Sequence, residues 1–270
     1  MNRRTNPSGA ILEYAKLDLR CVLRNKRPRE TLFSFVILFL CIQLFFYLIP
    51  TLQGAAVARI AGMRPPDART AVASFKGGWQ LLLFMSFTSG GIAAFLGVFV
   101  IPWSGSFIAF IITNPQPVTQ FIAAKLVLLW VGILTFSIVA FASFTVLDYD
   151  TLPHVVISFW HIALTAPLSL FVTSGNVERV DLQLGTFRNF QGYGVTQYLV
   201  MWALVATPAF LYYLMSFVAR GAAGSLVYGL GVAGVIAFRV LIRRIAKNVT
   251  QQSSLLIEHY STGDEYENRA

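Results

Sequence analysis

Apolar positions along this chain do not alternate with polar ones. They run together in blocks at 32–50, 79–101, 122–147, 153–173, 196–219 and 221–241. A hydrocarbon layer about 30 Å thick takes roughly 20 residues rising about 1.5 Å each, and only a helix satisfies its own backbone polar groups there. The pattern therefore predicts an all-α fold: a polytopic helical membrane protein with six transmembrane helices. An even number of crossings returns both termini to one side. A shorter stretch, Ile11 to Arg24, has a different period. Ile11, Leu12, Ala15, Leu19, Val22 and Leu23 share one helical face, with Glu13, Lys16, Arg20, Arg24 and Arg27 opposite. Only Leu17 and Asp18 break that division. This spacing predicts an amphipathic helix lying on the membrane. Pro28 removes a backbone donor before the first span, which favours an elbow.

Composition agrees with a lipid environment. Hydrophobic residues make up 56% of the 270 and charged residues 12%, whereas a soluble domain carries about 25% charged residues. Mean hydropathy is +0.65. The organisation expected is a basic N-terminal segment with the elbow at 1–30, a transmembrane domain at 31–245 and a cytoplasmic tail at 246–270. The first block with its charged flank exceeds the proportions of a cleaved signal sequence, about 7 to 15 apolar residues, although Ala56-Val57-Ala58 follows it. Cys21 in the basic segment and Cys41 in the first span are poorly placed to bridge.

The formal net charge is +9, and its distribution gives it meaning. Arg3, Arg4, Lys16, Arg20, Arg24, Lys26, Arg27 and Arg29 all precede Leu32. No aromatic is interleaved with the last four, as a single-stranded nucleic-acid platform requires, so nucleic acid is not the expected partner. The positive-inside rule accounts for the cluster, with anionic headgroups attracting it and both termini cytoplasmic. On that topology only Arg59, Arg64, Arg69, Lys76 and Arg220 fall outside.

Inside the spans, Gly221, Ser225, Gly229, Ala233 and Ala237 recur every fourth residue and form a stripe free of side-chain bulk. Such a stripe packs against another helix, of the same chain or of a second membrane subunit. Gly90, Gly91 and Gly97 predict close contacts in the second span, and Pro167 a kink in the fourth. Gln43 and His161 are intramembrane polar residues, the first an expected interhelical hydrogen bonder and the second a functional candidate by its depth. His154 lies seven residues from His161, beside Asp148 and Asp150 at the outer rim. The competing readings there are a metal or proton site, and a solvated acidic loop beside a rim histidine. No metal-ligand spacing, phosphate loop or nucleophile elbow occurs in the sequence. No cofactor, metal or catalytic residue is expected, and ATP hydrolysis would have to come from a partner.

The segments 102–120, "PWSGSFIAFIITNPQPVTQ", and 174–194, "SGNVERVDLQLGTFRNFQGYG", fall on the inner side. Phe107 to Ile112 is too short to span, so it must lie in the interface or enter a partner's groove. The elbow, six spans and two inner loops resemble the transmembrane subunit of a type-2 ABC exporter. The strings "RNKRPR" at 24–29, "PWSGSF" at 102–107, "AAKLVLL" at 123–129 and "ERVDLQLGTFRNFQG" at 178–192 are similar to an uncharacterised bacterial membrane-protein family usually grouped with such permeases. The resemblance implies a bacterial inner-membrane protein, a separate ABC ATPase as partner, and a homo- or hetero-dimer of membrane subunits. It implies Phe107, Phe110, Arg188 and Phe190 as the coupling contacts. The alternative function is a membrane scaffold or assembly factor that uses the same surfaces without transport.

Overall fold

The computed structural model describes residues 7–25, 29–41, 43–44, 79–97, 100–101, 118–146, 149–175, 195–219 and 222–252. All regular structure among them is helical. In chain order the elements are α1 (Pro7–Arg24), α2 (29–41), α3 (Trp79–Gly97), α4 (Val118–Val146), α5 (Leu152–Trp160), a π turn (His161–Thr165), α6 (Ala166–Thr173), α7 (Val195–Val218) and α8 (Ala223–Gln251). Five segments are long and apolar enough to cross a membrane: α3, α4, the continuous run from α5 through α6, the 199–218 part of α7, and α8. They correspond to five of the six predicted spans. The first predicted span extends into 45–50, outside the described residues.

Contacts between helices set their directions. Gly90 of α3 meets His161 and Gly97 meets Ser169, so α3 and the α5–α6 run are parallel. Gly231 of α8 meets Phe159 and Gly234 meets Leu164, which makes α8 parallel to both. Trp130 of α4 bonds to Ile162 while Ser137 bonds to His154, so α4 runs the other way. α7 is also reversed, with Met201 near Gly97 and Val205 at Ser86. The start of α4, the end of α6, the start of α7 and the end of α8 therefore share one end of the bundle.

α3 occupies the centre, with 78% of its apolar window buried. A helix apolar on every side belongs in an interior, and its small residues let neighbours approach closely. The glycine expectations are met. A Cβ on Gly91 would lie 2.9 Å from the Phe35 ring, and one on Gly97 would lie 2.7 Å from Ser169 Oγ. Around this helix Phe35 touches Phe39, Phe87, Phe95 and Phe136, and Phe87 stacks on Trp202 at 5.1 Å and 8°. α2 thus docks through aromatics on α3 and α4.

Of the two readings of the α8 stripe, packing inside the chain is not the one seen among the described residues: Ser225, Gly229, Ala233 and Ala237 face outward, and a Cβ on Gly229 would meet nothing within 4 Å. The inward face is Ala223, Val227, Gly231 and Gly234, because α8 carries two glycine faces and the other meets Phe159 and Leu164. Gly221 lies outside the described residues.

α8 runs to Gln251, beyond the apolar block at 221–241. Arg239, Arg243, Arg244 and Lys247 are exposed while Ile245, Ala246 and Val249 are buried. Charge can mark the edge of an apolar layer without ending a helix.

In α1 the inward face includes Asp18, the residue that seemed to spoil the pattern. Its carboxylate is ion-paired with Lys125 of α4, which is 2% exposed and lies 4.8 Å from the Phe121 ring centroid. Leu12, Leu19 and Leu23 remain exposed. The helix thus turns Asp18 to the bundle and those leucines outward. Tyr14 packs edge-on to Phe121, and burial pushes its phenol pKa up.

Candidate functional site

The α5–α6 span carries its polar groups on its buried side. His154, Ser158, His161, Thr165, Ser169 and Thr173 follow one another at steps of three or four residues, and none is more than 7% exposed. At 3.6 residues per turn this spacing keeps all six on one face. The C-terminal half of this seam is closed on itself: Ser169 donates to Ala166 O, Thr173 to Ser169 O and Ser174 to Phe171 O. At its end Asn248 of α8 reaches Ser174 Oγ at 3.4 Å.

Halfway along, the helix widens into the π turn. The N–H of Ala166 bonds to His161 O, one residue further back than in an α-helix. Ile162 O thereby loses its α-helical donor, and the donor five residues on would be Pro167, which has no N–H. Trp130 of α4 supplies the missing bond, its indole N–H lying 2.8 Å from Ile162 O. The predicted kink residue therefore acts through a π turn that precedes it. Single π turns recur at functional sites. α8 closes the other side, where a Cβ on Gly234 would fall 2.9 Å from Ala163 O and 2.5 Å from Leu164 Cδ2. Trp130→Phe keeps the ring and removes the donor. We expect it to cost about 1–3 kcal/mol, the range for an orphaned buried acceptor, read as reduced resistance to thermal unfolding in detergent.

His161 is fully buried in this turn, against Gly90 of α3. Its Nε2 is 2.9 Å from Ser86 Oγ and its Nδ1 is 2.9 Å from Thr165 Oγ1. Ser86 donates its own hydroxyl proton to Val205 O, so its oxygen is left to accept from Nε2–H. That places a proton on Nε2; in the neutral imidazole the Thr165 hydroxyl donates to Nδ1 at 2.9 Å in preference to Leu204 O at 3.5 Å. Ser86 of α3, itself anchored on α7, and Thr165 of the π turn thus satisfy both nitrogens.

His154 departs from the rim reading. It is 1% exposed, its Nε2 bonds to Ser137 O at 3.0 Å, and its ring packs edge-on to Phe144 at 5.1 Å. The histidine of that reading is buried instead of lying at a solvated rim, because the turn at Asp150 carries α5 straight into the bundle. Asp150 itself is exposed, and its Oδ1 accepts the N–H of Leu152 at 3.0 Å, initiating α5. Burial raises the pKa of the neighbouring Tyr149 phenol. His154 Nδ1, Ser137 Oγ and Ser158 Oγ have no hydrogen-bond partner among the described residues. No group of three or more metal-ligating side chains occurs among the described residues.

Gln43, the expected interhelical hydrogen bonder, has its Nε2 buried with no hydrogen-bond partner among the described residues. Phe107, Phe110, Arg188, Phe190 and Asp148 lie outside the described residues. The sequence reading passed over Ser86, Thr165, Trp130 and the Asp18–Lys125 pair. The regular recurrence of hydroxyls with His154 and His161 was the available signal for the seam. Nothing local marks Ser86 or Trp130, which reach the turn from other helices.

Comparison with known proteins bears on the chain as a whole. A family of unknown function, DUF5687, matches residues 71–262, well over half of the sequence, and the chain belongs to that family. No curated protein and no solved structure matches it.

Proposed function

We propose that this member of DUF5687 is the membrane-embedded subunit of an ATP-driven exporter, working with a separate ABC ATPase. In this reading six spans cross a bacterial inner membrane with both termini cytoplasmic. α1 is the interfacial elbow, held at the surface by exposed leucines and by basic residues facing anionic headgroups. The observation that carries the proposal is the ion pair between the buried Lys125 and the half-buried Asp18. It fixes α1 to the end of the bundle where α4 and α7 begin and α6 ends. Segments 102–117 and 176–194 connect helix ends on that side, so a force applied there by a partner would reach both the elbow and the spans. The basic, "PWSGSF" and "ERVDLQLGTFRNFQG" strings resemble an uncharacterised membrane-protein family usually grouped with such permeases, and that resemblance supports the same reading.

An apolar groove of about 700 Å³ lies between α3 and α7, lined by Trp79, Leu83, Ala203, Ala206, Phe210 and Tyr213. Its lining favours an amphipathic or lipid-like cargo over a charged one. Two membrane subunits would complete the exporter, and the outward Ser225, Gly229, Ala233 and Ala237 face of α8 is the candidate seam.

Phe107 and Phe110 would seat in the ATPase, with Arg188 and Phe190 beside them. Replacing both Phe107 and Phe110 with Asp should leave the bundle folded but break coupling, so that ATP hydrolysis no longer drives transport. Undiminished association with the ATPase and undiminished transport in that double variant would refute the assignment. A scaffold that holds partners without transport would retain the ATPase contact and show no ATP-dependent movement of any cargo in proteoliposomes.

A further inference from the structure

We propose that His161 is a proton-operated latch: as a neutral imidazole it holds the π turn closed against α3 and α7, and a second proton on it opens the bundle there. The closed arrangement suits the neutral ring, because Nε2–H has an acceptor in Ser86 and Nδ1 a donor in Thr165. A proton added at Nδ1 would turn that bond around. Thr165 would then have to direct its own hydroxyl at Leu204 O, 3.5 Å away, at the limit of a hydrogen bond. The resulting cation would sit in a fully buried position with no anion to meet it.

The surroundings offer no compensation among the described residues. On its own span the only titratable neighbour is His154, whose charge would repel that of His161. α3 contributes Ser86, Thr88 and Ser89, all uncharged. From α4 come Trp130 and Ser137, and the lysine of that helix is committed to Asp18 at the end of the bundle. α7 presents the backbone of Leu204 and Val205; its Tyr212 lies towards Asp150 at the rim. α8 presents Gly234, and its charged residues Arg239, Arg243, Arg244 and Lys247 are cationic and exposed. Burying an unpaired charge is costly, so protonation of His161 favours whatever conformation hydrates the ring. By linkage, acid must then shift the population away from the closed bundle.

The π turn is where that shift would appear. Its Ile162 carbonyl is held by Trp130 from another helix, and its α8 face is a glycine. The turn therefore depends on tertiary contacts that separate when the helices do.

Amide hydrogen exchange of the full chain in nanodiscs tests this directly, comparing pH 7.5 with pH 5.0 after correction for the intrinsic pH dependence of exchange. Peptides covering 157–168 should exchange at least ten-fold faster at the lower pH in the wild type. His161→Gln, which cannot be charged, should abolish that response, whereas His154→Gln should retain it. Ser86→Ala keeps the imidazole but takes away the Nε2 acceptor, so the response should begin at higher pH. The proposal is overturned by a wild-type response that is absent, by one that persists in His161→Gln, or by one whose onset is unmoved in Ser86→Ala. The Ser86→Ala comparison decides the matter alone should the glutamine variant not fold.

Discussion

Asp18→Ala is expected to lose about 3–5 kcal/mol of stability, the range for breaking a buried ion pair by removing one partner. Lys125 would be left 2% exposed in an apolar wall beside Phe121 with no carboxylate. Lys125→Ala should cost a similar amount, since Asp18 would keep its inward position. Lys125→Met together with Asp18→Leu should cost far less than the two single losses added, because replacing both charges leaves nothing uncompensated. Chemical denaturation in mixed micelles, followed by circular dichroism, reads all three. Additive losses in the double variant would mean that the pair does not form. Asp18→Ala should also free α1 from the bundle, detectable as protease sensitivity between residues 7 and 25.

The second large effect is expected at Gly90. A Cβ there would lie 2.4–2.6 Å from three ring atoms of His161. The ring has no room to retreat, because Ser86 and Thr165 hold both of its nitrogens. Gly90→Ala should therefore cost about 3 kcal/mol, the upper end for overpacking a core. Gly229→Ala, in open space, should change stability by less than about 0.5 kcal/mol in the monomer. The same denaturation experiment gives both values. Equal effects at the two glycines would contradict the packing of α3 on the π turn.

Much of the architecture was legible because hydropathy is a local property. The blocks from Trp79 onward named five crossing segments, and Gly90, Gly91 and Gly97 announced that something would press on α3. What pressed could not be read, since the rings of His161 and Phe35 and the Ser169 hydroxyl come from distant positions in the chain. Asp18 shows the opposite failure. Within α1 it broke an amphipathic pattern, and its meaning appeared only when Lys125 was placed beside it. The α8 stripe left its partner open for a related reason: two small-residue faces run along that helix, and spacing alone does not say which of them the chain uses for itself. Pro167 marked the place of the irregularity, but its form depends on whether an indole from α4 can reach Ile162 O. The site was half readable in the same sense. The seam from His154 to Thr173 follows from periodicity, whereas Ser86 and the α7 carbonyls enter only through tertiary packing.

Purification of the intact chain from its native membrane in mild detergent, with identification of the co-purifying proteins and assay of their ATP hydrolysis, tests the exporter reading most directly. The account predicts an ABC ATPase that travels with the chain and whose hydrolysis rate changes when the chain is removed. A chain recovered free of any such ATPase, or an associated ATPase indifferent to its presence, would contradict it.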